Sequence, residues 1–230
     1  MSMNEKLATL THLYRVLENT LKGHPLSCHR GCPACCTLNV TMTTLEAYQI
    51  IIYLSQTEEI DLLDRLSVFS DQPRFIPNLT INALARHCAD SDEIPEEQHI
   101  LGEGVCPLLI DDTCAVYAAR PLACRAMVSN RDCRLTGYAT MDPFILSVNN
   151  VLMQFAEHID RDGLTGNLTD VLLYLSIKEN RYAYQRSAAI KGVNGLLANH
   201  ALTVLMVPPE HRQPMATVLK SLNPAMGKIG

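Results

Sequence analysis

Four cysteines fall within nine residues, Cys28-His29-Arg30-Gly31-Cys32-Pro33-Ala34-Cys35-Cys36. Sulfur at that density ligates a metal, closes a disulfide knot or carries redox chemistry; core packing does not require it. Cys32 and Cys35 are separated by two residues, the short loop that aims two thiolates at one point at small entropic cost. Cys28 adds a third arm from upstream. Adjacent side chains diverge from the backbone, so Cys36 serves either a second centre or none. Five more thiols stand at Cys88, Cys106, Cys114, Cys124 and Cys133. The remaining arms are expected from the group Cys106 to Cys133, which would tie two distant stretches into one module.

Charge supports a metal. Between Gly23 and Ile177 there is no lysine, whereas Arg30, Arg120, Arg125, Arg131 and Arg134 all lie beside cysteines. Four thiolates around zinc leave about two excess negative charges, and thiolate-bound clusters are also anionic. Guanidinium groups stay charged when partly buried and donate fixed hydrogen bonds to such sulfurs. Arg30, Arg120 and Arg125 are therefore candidate cofactor-binding residues. The plainer reading is arginine-rich surface loops with lysine scarce by chance. A net charge of −5 argues against nucleic acid as a partner.

The spacing discriminates between metals. Zinc sites usually present two C-x2-C pairs or a pair of histidines. Here the second pair is missing, because Cys106, Cys114, Cys124 and Cys133 stand eight to ten residues apart. A tight triplet with a remote fourth arm is closer to iron–sulfur ligation, so a [4Fe–4S] cluster is favoured, with zinc as the alternative. Eight thiolates also suit two zinc ions, or one centre with spare redox-active cysteines. The C-x3-C-x2-C spacing matches the cluster loop of radical S-adenosylmethionine enzymes too, but those continue into a βα barrel and residues 43–69 read as helices. A vicinal Cys35–Cys36 disulfide ranks below ligation. His29 reads as exposed, Asp111-Asp112 as a turn, and Asp160-x-Asp162-Gly163 as a helix terminus, since a calcium loop needs an acid where His158 stands. No catalytic residue is identified.

The elements that must position these thiols are mostly helical. Leu7, Leu10, Tyr14, Leu17 and Leu21 form a stripe ended by Gly23-His24-Pro25. A second helix opens at Thr43, with Glu46 at capping-box distance and Leu45, Tyr48 and Ile52 on one face. A third segment runs through Leu62, Leu63, Leu66 and Phe69 before Pro73 and Pro77. A short helix over 79–88 precedes an acidic loop over 90–97. Residues 106–117 suggest a hairpin turning at Asp111-Asp112, and Pro121 disfavours helix at Arg120. Asp142-Pro143 starts a helix carrying Phe144, Val148, Val151 and Phe155, and Asn167 caps another carrying Leu168, Val171, Leu172 and Leu175. After Ser187 the pattern weakens, interrupted by Pro208, Pro209 and Pro214.

The fold class expected is mainly α, a helical domain enclosing an irregular cysteine-rich metal-binding module with at most a short β-hairpin. Residues 1–230 read as one domain, with the module at about 24–136 and a helical C-terminal part at about 142–206. No secretory leader pattern and no run of about 18 apolar residues is present, so the protein reads as cytoplasmic and without a membrane partner. Thiols stay reduced there, and an odd total of nine fits poorly with full disulfide pairing.

The ordered string Cys28-x3-Cys32-x2-Cys35-Cys36, Cys106-Pro-x-Leu, Cys114-x-x-Tyr117-x-x-Arg120-Pro121-x-x-Cys124-Arg125 and a closing Cys133 resembles the CxxCxxCC family of zinc- or iron-chelating proteins. The resemblance implies that Cys28, Cys32, Cys35, Cys36, Cys106, Cys114, Cys124 and Cys133 are the metal residues. Cys88 falls outside it and reads as a buried structural thiol. Flagellin lysine-N-methylases carry a similar string, which in them implies an iron–sulfur cluster; this chain is short beside them, and methyl transfer is not carried over. Two function classes follow. One is a metal-binding protein with a structural or electron-transfer centre, open to a protein partner. The other is a metal-dependent enzyme, for example methylase-like, modifying a protein or small molecule.

Overall fold

Ser2 opens the first helix, α1 (Met3–Leu21), by a capping box in which its hydroxyl accepts from the Glu5 amide and the Glu5 carboxylate accepts from the Ser2 amide. Leu10, Tyr14 and Leu17 of its stripe are buried and Leu7 and Leu21 half-buried, and Gly23 turns the chain away at φ 86°. The computed structural model describes residues 1–91, 101–188 and 193–226, so most of the expected acidic loop over 90–97 lies outside the described residues. After the cysteine loop come β1 (Thr41–Thr43) and α2 (Thr44–Gln56), the latter started by the expected Thr43–Glu46 box. The third segment divides into α3 (Leu62–Arg65) and a 3₁₀ turn at Leu66–Phe69. The next helix, α4 (Ile81–Asp90), begins at Thr80.

The hairpin forms as β2 (Leu109–Ile110) and β3 (Thr113–Cys114). Asp111 and Asp112 both adopt positive φ, 47° and 58°, the conformation a two-residue turn needs to match strand twist. Two short helices follow, α5 (Leu122–Ala126) after Pro121 and α6 (Cys133–Thr136). Asp142 caps α7 (Pro143–Ile159), and Asn167, ending β4 (Leu164–Asn167), caps α8 (Leu168–Ser176). The chain closes with α9 (Lys178–Gln185), β5 (Leu196–Ala198) and α10 (Arg212–Met226).

The protein is mainly α with short β elements, as its pattern predicts, but it adds a small antiparallel sheet of order β1-β4-β5 that the sequence did not suggest. Thr41 pairs with Asn167 and Leu164 with Ala198, in strands too short to display alternation. Helix α10 also runs through Pro214. The proline is its third residue, where the missing amide would have no intrahelical partner.

Two apolar clusters result. Helix α2 and α8 supply Ile50, Leu54, Val171 and Leu172 to one, and Cys106, Leu108, Val116 and Ala119 of the cysteine-rich segment join it. Helices α1, α7 and α10 build the other from Leu10, Leu17, Val148, Leu152 and Met215, and Leu122 and Ala126 of α5 pack there. The cysteine-rich segment is thus pinned into both. Among the described residues no helix is long and apolar enough to cross a membrane.

Buried carboxylates fix how these helices meet. Glu157 of α7 accepts from the Asn82 amide at the start of α4 (2.8 Å) and from the His200 amide (2.6 Å). Asp160, fully buried, accepts from Thr44 Oγ1 (2.6 Å), the Leu45 amide (2.9 Å) and the Tyr184 hydroxyl (2.6 Å). Gly163 makes room, since a Cβ there would stand 2.4 Å from Asp160 Oδ2. Burial raises the Asp160 carboxyl from 3.8 to about 6, the hydrogen bonds only partly opposing it. A carboxyl raised by folding contributes stability while protonated, in full below about pH 4, and loses it as pH rises through about 6. The stability of the wild type relative to Asp160→Asn is therefore expected to fall by on the order of 3 kcal/mol across that window and then level off. Urea unfolding at a series of pH values measures this, and a pH-independent difference would mean that the Asp160 carboxyl titrates alike in the folded and unfolded chain.

Candidate metal centre

The first cysteine loop is two consecutive turns. The Cys32 amide donates to His29 O (3.2 Å), the Cys36 amide to Pro33 O (2.9 Å) and the Thr37 amide to Cys35 O (3.1 Å). Gly31 sits at φ 86°, a left-handed position that favours glycine. The loop is tied at both ends to the remote segment. The Ser27 amide donates to Ser129 O (2.8 Å) at one end, and at the other the Cys106 amide donates to Cys36 O (2.9 Å) beside a Thr37–Val105 bridge.

Each remote cysteine has its own support. Cys106 is buried under the first apolar cluster, and the β2–β3 register places Cys114 opposite Leu109, whose amide returns to Cys106 O (2.9 Å). Cys124 rides on α5, whose first amide, Leu122, donates to Glu46 Oε1 (2.6 Å). Glu46 therefore caps its own helix and holds the cysteine-bearing one. Asp132 caps α6 and so sets Cys133 at its first position.

Seven of the eight cysteines, all but Cys133, line one cavity of about 570 Å³, with Arg120, Arg125 and Asn149 in its wall. Cys133 lies just outside, its Sγ 3.9 Å from Arg131 O. That carbonyl also accepts from Ser129 Oγ (2.7 Å), while the Ser129 amide donates to Cys28 Sγ (3.2 Å). Asn149 is buried, and among the described residues its Oδ1 has no hydrogen-bond partner. Among the described residues no three His, Cys, Asp or Glu side chains close on a single point as they would around one ion. By chemistry and by convergence on one space, the donor set nonetheless fits a thiophilic metal or cluster.

Burial raises the thiols, Cys106 to about 11, with Cys124 well above that and Cys114 and Cys28 also raised. Cys35 is raised and Cys36 lowered by the hydrogen bond between them, the largest cause in each case. Protonated thiols do not ligate, so a cation entering this cavity must displace protons. Arg120 lies 3.9 Å above the Tyr117 ring and Arg30 5.5 Å from it, and their charge favours the Cys114 thiolate against its burial. Arg125 lines the cavity, but its nitrogens serve the protein. Nε donates to Arg120 O (2.8 Å), Nη2 to Ala118 O and Nη1 to Glu18 (3.2 Å), and the group stacks 4.2 Å from the Tyr14 ring. Arg131 is exposed, and Arg134 pairs with Asp132 at 2.6 Å. His29 is exposed, as its loop position predicts.

Cys88 corrects an expectation. It is exposed near the end of α4, where Asn82 and Ala85 form the buried face, and it borders a separate surface groove with Ala85 and Ala89. Tyr117, Ser129, Asn149 and the second role of Glu46 were missed from the sequence. Tyr117 stood in the motif and gave a signal; the other three act through contacts across the fold and left none.

A second, largely apolar cavity of about 380 Å³ shares Thr41, Ala123 and Met153 with the first and includes Glu46 and Glu157, whose oxygens already accept backbone amides.

Against known proteins, residues 27–143 match the model of a family, CxxCxxCC, described as a "Putative zinc- or iron-chelating domain". No curated protein and no solved structure matches the chain. If the Arg125 clamp shapes the turn before Cys124, Arg125→Lys should lower the unfolding free energy by about 1–2 kcal/mol despite its retained charge. A denaturant midpoint equal to the wild type's would remove that role.

Proposed function

The chain belongs to the CxxCxxCC family, and on that premise we propose a metal-binding protein whose eight motif cysteines hold an iron–sulfur cluster, with zinc as the alternative, in a structural or electron-transfer role. Metal chelation, of zinc or iron, is the family's description. The observation that carries the finer reading is the shared cavity, where seven thiols from residues 28–36 and 106–124 face a space of about 570 Å³. One zinc ion with bonds of about 2.3 Å draws its four sulfurs to within about 3.8 Å of each other. Ligands of an iron–sulfur cube stay farther apart and surround a volume, which is the arrangement that favours the cluster here.

When bound, such a cluster supplies one-electron chemistry or a rigid cross-link. The residues of the chain do the rest. Turns at Cys28–Cys36 present thiols, the Ser129 amide hydrogen-bonds Cys28 Sγ, and Arg30 and Arg120 on Tyr117 offset negative charge. A cytoplasmic location, where thiols stay reduced and free to ligate, is part of this reading. An enzymatic role is favoured by one observation, the apolar cavity sharing walls with the cysteine site.

Anaerobic purification followed by elemental analysis and an optical spectrum tests the metal. Iron with stoichiometric sulfide and broad visible absorbance is expected; a colourless protein with stoichiometric zinc would select the alternative. Cys32→Ser and Cys35→Ser are each expected to lose metal and melt at lower temperature, whereas Cys88→Ser, away from the cavity, keeps both. Full metal content in Cys35→Ser would remove that residue from the ligands.

A further inference from the structure

Holding a metal does not require the cavity of about 380 Å³ next to the cysteines. Among the described residues its walls come from β1, the start of α2, residues 75–84, α5, α7 and β4. Pro77, Leu122 and Ala156 are buried, whereas Phe75, Leu79, Leu84 and Met153 are half-buried, so the cavity runs from the core toward the surface. One face of α7 lines both cavities. Asn149 and Met153 belong to the first, and Met153, Ala156 and Glu157 to the second, at spacings that keep all four on one side of a helix. On α5, Ala123 borders both cavities and Cys124 follows it.

The polar groups of the wall say what the cavity takes. Thr41 apart, each polar side chain there already has a partner in the protein. Thr43 Oγ1 donates to Glu46 (3.0 Å) and Thr165 Oγ1 to Asn199 Oδ1 (2.6 Å). Thr80 Oγ1 accepts from the Ala83 amide (3.3 Å) and hydrogen-bonds His200 Nδ1 (3.3 Å). Glu46 accepts the Thr43 and Leu122 amides, and Glu157 those of Asn82 and His200. Both carboxylates thus sit at helix starts, Glu46 at α2 and α5 and Glu157 at α4, where the amide dipoles offset their charge. A cation is not called for, and an anion would meet two acids. What remains is apolar surface, in which Phe75, Met42 and Met153 offer a ring and two thioethers, good neighbours for an aromatic molecule. A dry apolar cavity of about 150 Å³ holds benzene, and one of about 380 Å³ suits fused rings.

We propose that this cavity binds a small neutral molecule of fused aromatic rings and seats it against the cysteine site, with Met153 and Ala123 between the two. This goes beyond the metal-binding reading, and its test does not depend on that reading.

Naphthalene is titrated into the full chain, followed by calorimetry and by NMR of isotope-labelled methionine methyls, assigned with Met42→Leu and Met153→Leu. Saturable binding is expected, with the Met42 and Met153 signals shifting. Shifts confined to Met127 and Met141, which line the cysteine cavity, would place the molecule there and overturn the proposal. Naphthalenesulfonate and naphthylmethylamine, which add a charge to the same rings, are expected to bind about tenfold or more weakly. Equal affinity for either overturns the neutral assignment. Leu84→Trp fills the cavity from α4 and is expected to weaken naphthalene binding by about tenfold or more, with circular dichroism and metal content unchanged. Leu79→Trp repeats the test from the preceding segment if the first variant does not fold. Wild-type affinity in either folded variant, or no saturable binding to the wild type, overturns the proposal. Metal content of the same samples reports separately on the metal-binding reading.

Discussion

Glu46 joins the scaffold to the cysteine-bearing segment. Its carboxylate is fully inside the protein, closes the box that starts α2, and accepts the first amide of α5 from 76 residues along the chain. An ionisable group buried this way is tolerated only because backbone donors surround it, and desolvation still raises its carboxyl. The arrangement makes the start of α5, and with it Cys124 and Arg125, a rigid extension of the helical core. Asp160 and Glu157 do the same for the starts of α2 and α4. Carboxylates at helix N-termini are also favoured by the helix dipole, so each contact both satisfies an orphan donor and complements a field.

That rigidity bears on the thiols. Most sit where burial favours the protonated form, and a cation is what reverses the balance, releasing protons as it binds. The cavity has few charges to help. Arg30 and Arg120 stack on Tyr117, while Arg125 is spent on carbonyls and Glu18. The absence of lysine in this region is consistent with cationic groups that must hold planar, multi-donor positions in partly buried ground.

The helices were legible because their signals are local. The leucine stripe of α1, the Thr43–Glu46 box, the Asp142 and Asn167 caps and the Asp111-Asp112 turn each lie within a few residues of what they specify. Cys88 was misplaced because apolar character says a thiol can be buried, not that its helix turns that face inward. The sheet β1-β4-β5 escaped because three- and four-residue strands carry no period to read. Pro214 misled because a breaker and a first-turn residue look alike until the helix start is known.

The order and spacing of cysteines in the chain by themselves determined the family and the kind of chemistry, since thiolate affinity for soft metals is a property of the residue and short spacings fix how loops present it. Only the tertiary structure decided that thiols from 28–36 and 106–124 share one cavity, that Cys36 belongs with Cys106 by direct backbone pairing, and that Ser129 attends Cys28. These relations cross 70 to 101 residues of chain, and contacts of that range are set by how the two apolar clusters pack, not by any local pattern.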